Sequence, residues 1–331
     1  MALLAIESSC DETAAAVINL DGHIASNVIS SQHEVHRQYG GVVPELASRS
    51  HIEKIESVVR EAMSQAQVDW PAIQAIAVTR GPGLAGALVV GVSFGKALAF
   101  ALGVPWIAVN HLEGHVASAW LDKQVCLTPC VIFIVSGGHT HLYLVPEWGS
   151  YELVGRTLDD AAGEAFDKGA NMLGLGHPGG PALDRLARTG NPDIVRFPRP
   201  YHHKGGLNFS FSGIKTSLLY YLRDRQQEKA DVRLEDIAAG YQEAIVEVLI
   251  DKAFRAVDHY HVSQLAVVGG VSANSRLRAL LSARASANGV QLALPKLEYC
   301  TDNAAMIAAA GLQAYHAGRF AAWDLDAVAA G

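Results

Sequence analysis

The chain has 331 residues, half of them hydrophobic and 18% charged, with a formal net charge of −7. That composition excludes a disordered or fibrous chain and suits a packed globular protein long enough for two domains of ordinary size. The acidic balance speaks against a generally basic nucleic-acid-binding surface, and four scattered cysteines (Cys10, Cys126, Cys130, Cys300) exclude a disulfide framework and point to a reducing cytoplasm.

The first residues, MALLAIESSCDETAAAVI, lack the basic start of a signal peptide and soon turn polar. Residues 3–7 and 14–20 are apolar runs on either side of a polar loop, as expected of two strands. Asp21-Gly22 is a hairpin turn, with 23–30 returning as a partner strand. Residues 48–67 have helical periodicity that places Ile52, Ile55, Val58, Val59 and Met63 on one face. A strand at 75–79, a Gly81-Pro82-Gly83 turn, an apolar helix from Leu84 and a strand at 106–109 follow. The stretch 84–104 approaches membrane-spanning length, but Lys96, Ser93 and four glycines mark it as a buried helix, and no membrane association is expected.

The segment 109–121 reads as a helix carrying Asn110-His111-Leu112-Glu113-Gly114-His115. Spacing of i, i+4 puts both imidazoles on one face, where they offer two nitrogen ligands to a metal ion. In the zinc-protease pattern a glutamate directly follows the first histidine and serves as general base. Leu112 holds that place here, and Glu113 is rotated by about 100°. The pair suggests a metal site but not that hydrolase; a capping or core role stays open.

The second half begins like the first: strand 131–135, the turn Ser136-Gly137-Gly138-His139, and strand 140–145. Later, 264–268 runs into Gly269-Gly270 and a helix starting near Asn274, echoing 75–79 running into Gly81-Pro82-Gly83. We read a duplicated topology: an N-terminal α/β lobe at 1–125 and a C-terminal α/β lobe at 126–331, with a less regular insertion at 146–235 and a cleft between the lobes. The last helix starts at Thr301-Asp302-Asn303, all good N-caps. Between 181 and 225 the basic residues Arg185, Arg188, Arg196, Arg199, Lys204, Lys215, Arg223 and Arg225 form a cationic island opposed only by Asp184, Asp193 and Asp224. It fits either a solvated face or contact with a polyanion.

Three turns follow predicted strands: Ser8 to Thr13, Ser136 to Thr140, and Gly269 to Asn274. Glycine lets backbone N–H groups approach phosphate oxygens, and the third turn also feeds a helix N-terminus. There is no Walker lysine loop and no G-x-G-x-x-G fingerprint, which disfavours P-loop enzymes and Rossmann dehydrogenases. Asp11, Glu12 and Asp167 are the carboxylates best placed to meet a cation or an attacking group; loop solvation or capping is the plain alternative for each.

The chain resembles the universal tRNA threonylcarbamoyladenosine transferase family. The match runs through IESSCDETAAAVI at 6–18, GGVVPELASRSHIE at 40–53, TRGPGLAGALVVG at 79–91 and NHLEGHVAS at 110–118. It continues with VSGGHTHL at 135–142, DDAAGEAFDKGANMLGL at 159–175, HPGGPALD at 177–184, FSFSGIKT at 209–216, VGGVSANSRLR at 268–278 and CTDNAAMIAAAG at 300–311.

The resemblance implies an α/β fold of the actin-like ATPase and sugar-kinase superfamily, two related lobes around a nucleotide cleft. It implies His111, His115 and Asp302 as ligands of one divalent metal ion, iron ranked ahead of zinc. Substrate contacts carry over to Ile134, Val135, Ser136, Gly137, Gly138, Asp167, Gly180, Asp184 and Asn274. The implied reaction moves the threonylcarbamoyl group of threonylcarbamoyl-AMP to the exocyclic N6 amine of the adenosine 3′ of the tRNA anticodon, in tRNAs reading codons that begin with adenine, and AMP leaves. Asp11, with Glu12 beside it, is the candidate for orienting or deprotonating that amine. Implied partners are tRNA, a smaller inactive paralogue and a P-loop ATPase. A small-molecule kinase of the same superfamily and a non-catalytic nucleotide-binding scaffold are the rival readings.

Overall fold

The structure is a computed structural model and describes residues 1–121, 128–176, 178–200, 206–228 and 232–329. Cys126, His177, the 201–204 part of the basic segment and most of the expected lobe boundary lie outside the described residues. The chain forms two compact units: Met1–Gln124 with Thr301–Gly331, and Val125–Cys300.

In the first unit, the buried strand β1 (Ala2–Glu7) pairs antiparallel with β2 (Glu12–Asn19), leaving Ser8 to Asp11 as the loop. The Asp21-Gly22 turn forms as read, with Gly22 at φ +89°, a value that glycine tolerates without strain. It returns the chain as β3 (Ile24–Ser31), antiparallel to β2. The short α1 (His33–Arg37) and α2 (Pro44–Ala66) follow. Then β4 (Ile73–Gly81), α3 (Ala85–Leu102) and β5 (Trp106–Asn110) make a parallel crossover, giving the order β3-β2-β1-β4-β5.

Side-chain alternation along the strands sorts the layers. Leu4, Ile6, Ile76 and Val78 form one core with Ile55, Val58, Val59 and Met63 of α2 and Val92 and Ala99 of α3. Ile52, expected on that face, is 65% exposed. The inward position is taken instead by buried His51, whose Nδ1 lies 2.7 Å from Thr13 Oγ1 and Nε2 3.0 Å from the Cys10 carbonyl oxygen.

Helix α3 is, among the described residues, the one helix long and apolar enough by length and composition to cross a membrane. Its buried face packs at glycine distance: a Cβ on Gly91 would stand 2.2 Å from Ser8 Oγ, and one on Gly95 2.3 Å from Val78 Cγ2. The expected buried helix is thus buried on one side only, since Val89 and Phe100 are exposed.

The last helix, α10 (Ala304–His316), lies on the other face of the same sheet. A Cβ on Gly311 would come within 2.5 Å of the Ala77 methyl, so this seat requires a glycine. This corrects the expected division, which gave all of 126–331 to the second lobe. Hydrophobic pattern marks α10 as a helix but does not say which sheet it covers.

The second unit repeats the plan. Strands β6 (Cys130–Val135), β7 (Thr140–Val145) and β8 (Glu152–Arg156) run antiparallel, and β9 (Gln264–Val268) and β10 (Gln291–Ala293) add in parallel, in the order β10-β9-β6-β7-β8. The expected duplication of topology therefore holds, β6 to β10 matching β1 to β5. Among its described residues, the insertion expected to be irregular contains β8 and the helices α5 (Ala162–Met172), α6 (Gly179–Ala187) and α7 (Ser212–Glu228). Two of these are short, and neither α5 nor α6 has a side-chain N-cap, so the usual start signals are missing. The core is built on α8 (Leu234–Tyr260), with Tyr241, Ile245, Leu249 and Phe254 packed under α5 to α7 and the sheet. Helix α9 (Ser275–Asn288) precedes β10.

Asp159 pins the approach to α5. Its carboxylate accepts hydrogen bonds from Ser210 Oγ (2.5 Å), Phe211 N (2.8 Å), Ser212 N (3.3 Å) and Ser212 Oγ (2.7 Å). Burial alone would raise its pKa, but these bonds win and hold it below the ordinary carboxylate value. A depressed folded-state pKa gives stability that is present above the unfolded value near 4 and lost as pH falls through the folded one. Asp159→Asn is therefore expected to cost about 1 kcal/mol near neutral pH, allowing for solvent screening of an exposed residue. The gap in thermal midpoint between variant and wild type should shrink between pH 6 and 3.

Candidate active site

The histidine pair sits where the sequence put it. Helix α4 (His111–Ser118) starts directly after β5, and Asn110 caps it by accepting from Leu112 N (2.8 Å) and Glu113 N (3.4 Å). The cap role thus belongs to Asn110, which frees the histidines. Both are buried, their ring centroids 4.7 Å apart and their planes at 80°. The Asp302 carboxylate, just before the Asn303 cap of α10, brings Oδ1 to 3.2 Å from His115 Nε2 and 3.6 Å from His111 Nε2. Gly114 makes the approach of α10 possible, since a Cβ there would meet Ile307 Cδ1 at 2.7 Å.

Among the described residues neither ring nitrogen of His115 makes a hydrogen bond, Nε2 having only its ion-pair contact with Asp302, although the side chain is wholly buried. A buried, unsatisfied imidazole is costly, and such exceptions mark a missing partner. Two nitrogens and a carboxylate oxygen, all within 4.8 Å of one another, suit a borderline dication such as iron or zinc. Burial alone would lower the His111 pKa, but Asp302 and Glu7 push it up to about 9, so a cation bound here takes the place of a proton. Glu113 is not part of this cluster; burial holds its carboxyl above the ordinary value, and Arg319 offsets only part of the rise.

Asp11 and Glu12 are both buried and form a second group with His33, the first residue of α1. His33 Nε2 lies 3.4 Å from Glu12 Oε1 and 3.9 Å from Asp11 Oδ2. Burial, with Asp11 and Asp302 nearby, pushes the Glu12 carboxyl up to about 8 against the pull of His33. Sequence reasoning missed His33, because a histidine in a short polar helix carries no pattern of its own.

In the second unit the predicted substrate residues are linked into one set. Residues Ile134 and Val135 end the buried strand β6, and Ser136 N donates to the His139 carbonyl oxygen (2.8 Å) to close the turn. Gly137 and Gly138 are exposed, and a Cβ on either would meet nothing within 4 Å. Helix α5 begins against this turn: Gly163 N donates to Ser136 O (3.2 Å) and Ala162 N to Thr140 Oγ1 (2.9 Å).

From α5, Asp167 Oδ1 accepts from Gly180 N (3.0 Å) at the start of α6. Asp184 on α6 accepts from Ser275 Oγ (2.8 Å) and Arg188 Nη2 (2.9 Å). Asn274 caps α9 by accepting from Leu277 N (2.9 Å), and its Nδ2 donates to Gln242 Oε1 (2.7 Å). Gly269, at φ +93°, sets this last loop beside β6, where a Cβ would stand 2.6 Å from the Val135 carbonyl oxygen. Helix starts and glycine turns converge here, a setting for phosphate and ribose groups.

The cationic island is largely neutralised from within. Arg188 pairs with Asp184, Arg196 with Asp193, Arg199 with Glu247, Lys215 with Asp160 and Arg223 with Asp224, and Arg225 donates to the Val232 carbonyl oxygen. Two of these acids, Glu247 and Asp160, lie outside 181–225 and are brought in by packing that a local charge tally does not weigh.

Two α/β units of one strand order make the fold shared by actin-like ATPases and sugar kinases. Solved structures of that fold match over 96% of this chain at 15% identity. They are HypF from T. kodakarensis (TM-score 0.65, 48% of that chain) and component A of (R)-2-hydroxyglutaryl-CoA dehydratase from Acidaminococcus fermentans (TM-score 0.57, 98% of that chain).

The chain belongs to the tRNA N6-adenosine threonylcarbamoyltransferase family, whose model matches residues 23–309. It is 48% identical over 325 residues to the tRNA N6-adenosine threonylcarbamoyltransferase of Clostridioides difficile (strain 630), covering 98% of this chain and 96% of that one. The enzyme of the same description from Anaeromyxobacter dehalogenans (strain 2CP-C) is 51% identical over 326 residues, covering 98% and 97%. This membership makes the chain a transferase acting on tRNA and sets aside the small-molecule kinase.

Proposed function

We propose that this chain transfers threonylcarbamoyl from threonylcarbamoyl-AMP to N6 of the adenosine at position 37, 3′ of the anticodon, in tRNAs that read codons beginning with adenine. The observation that carries the reading is full-length membership in the family together with an intact His111, His115 and Asp302 cluster. The amine nitrogen forms a bond to the carbamoyl carbon, the carbon–oxygen bond to phosphate breaks, and AMP leaves with the electron pair. An exocyclic adenine amine is a weak nucleophile, so placement of the reactants and a stabilised leaving group are the main needs.

The residues divide this work. Gly137 and Gly138 of the turn closed by Ser136 offer backbone N–H groups to the phosphate, with Ile134 and Val135 beneath it. Asp167, Gly180, Asp184 and Asn274 hold the nucleoside and acyl portions. Burial raises the Glu12 carboxyl, and Asp11 beside it is the group that orients or deprotonates the N6 amine. His111, His115 and Asp302 would hold one divalent ion, iron ahead of zinc, which would supply Lewis acidity there. The target base leaves the stack of the anticodon loop to reach such a site. Part of the cationic segment, Arg185 among it, follows the tRNA backbone, giving salt-sensitive binding. The reaction takes place in the cytoplasm and calls on a smaller inactive paralogue and a P-loop ATPase.

The test is nucleoside mass analysis of unmodified tRNA incubated with threonylcarbamoyl-AMP in extract depleted of this chain. Adding the pure protein back is expected to restore threonylcarbamoyladenosine and release AMP. If the Clostridioides difficile relative restores the product in the same extract and this chain does not, the proposal fails.

A further inference from the structure

Glu7 closes β1 and is wholly buried among apolar strand residues, yet it has no part in the reaction just described. Its Oε1 accepts from Ser9 N at 2.5 Å, and its Oε2 accepts from Thr79 Oγ1 at 2.6 Å. The same Oε2 lies 3.2 Å from His111 Nδ1, and Ser9 Oγ lies 3.1 Å from that nitrogen. The opposite ring nitrogen of His111, Nε2, is the one that faces Asp302.

A carboxylate at this depth needs compensating charge, and two neutral donors do not supply it. The imidazole N–H does so in part, and a dication beyond the ring would do so more fully. We propose that Glu7 is a positioning residue for the metal site: with Ser9 it clamps Nδ1–H of His111, which turns the Nε2 lone pair toward Asp302 and makes the imidazole a stronger ligand. This rests on reading His111, His115 and Asp302 as metal ligands. The geometry follows the general pattern in which a ligating histidine gives its other N–H to a carboxylate. The competing account is mechanical: Glu7 ties β1 to β4 through Thr79 and affects His111 only by holding the fold.

Zinc affinity of the full-length protein, measured by chelator competition with neither tRNA nor acyl donor present, separates the two. It also separates failure of this inference from failure of the proposed reaction. Glu7→Gln is expected to weaken zinc binding by about 10- to 100-fold, and to cause no further loss in a His111→Ala background, because the effect runs through that ring. An equal loss in both backgrounds, or an affinity within about twofold of wild type, would overturn the proposal. Thermal unfolding of the metal-free variant checks that it folds. If Glu7→Gln does not fold, Ser9→Ala carries the test, with an expected loss of about three- to tenfold that again vanishes without His111; unchanged affinity in Ser9→Ala would count against the clamp.

Discussion

Replacing His115 by alanine is expected to lower threonylcarbamoyl transfer by about a thousandfold or more, the scale of several kcal/mol that a Lewis acid contributes. It should leave the metal-free protein close to wild type in stability. The substitution removes packing, but it also removes two buried ring nitrogens that make no hydrogen bond among the described residues, and these effects oppose each other. Metal binding shifts the thermal midpoint only where ligand prefers the folded state, by about 4 kcal/mol at a thousand times the dissociation constant. Wild type is therefore expected to gain midpoint on adding zinc or ferrous iron, and His115→Ala to gain little. A variant that keeps both the metal-induced shift and activity within about tenfold of wild type would remove the metal from the reaction scheme.

The sequence carries the histidine pair in plain view because a helix of period 3.6 converts spacing directly into a shared face. Asp302 is another matter. It lies far along the chain, and only the seat of α10 on the first sheet brings it to His115; without the family resemblance the pattern names no third ligand. Glu7 was legible in principle, as a carboxylate inside an otherwise apolar strand, a placement that demands partners. Its apolar neighbours in β1 mask it.

Ile52 shows the same limit of an apolar stripe. Periodicity defines a stripe, but the stripe's edge is decided by which side chain finds a partner, and His51 finds two. Lobe membership of α10 depended on a contact between Gly311 and Ala77, two small residues whose meeting no local window reveals. The duplicated topology, by contrast, was readable, because glycine turns after matching strands recur in both halves and turn chemistry is local.

The turn that receives the phosphate should respond to crowding in two distinct ways. A Cβ on Gly163 would stand 2.5 Å from the Ser136 carbonyl oxygen and 2.7 Å from Gly137 Cα, both backbone atoms that cannot swing aside. Gly163→Ala is therefore expected to push α5 off the turn, costing about 1–3 kcal/mol of stability as overpacking does. It should also raise KM for the acyl donor by about tenfold or more, because the displaced groups are those proposed to position it. Gly137→Ala is the counterpart: nothing lies within 4 Å of the added methyl, so folding should be unaffected and any loss should appear only when donor binds. Zinc affinity should stay at the wild-type value in both, since the histidines and Asp302 belong to the other unit. Equal stability of the two variants would mean that α5 is not seated on the turn as described. A normal donor KM in both would move the phosphate away from Ser136 to Gly138, leaving the Gly269 to Asn274 loop and its helix N-terminus as the better place for it.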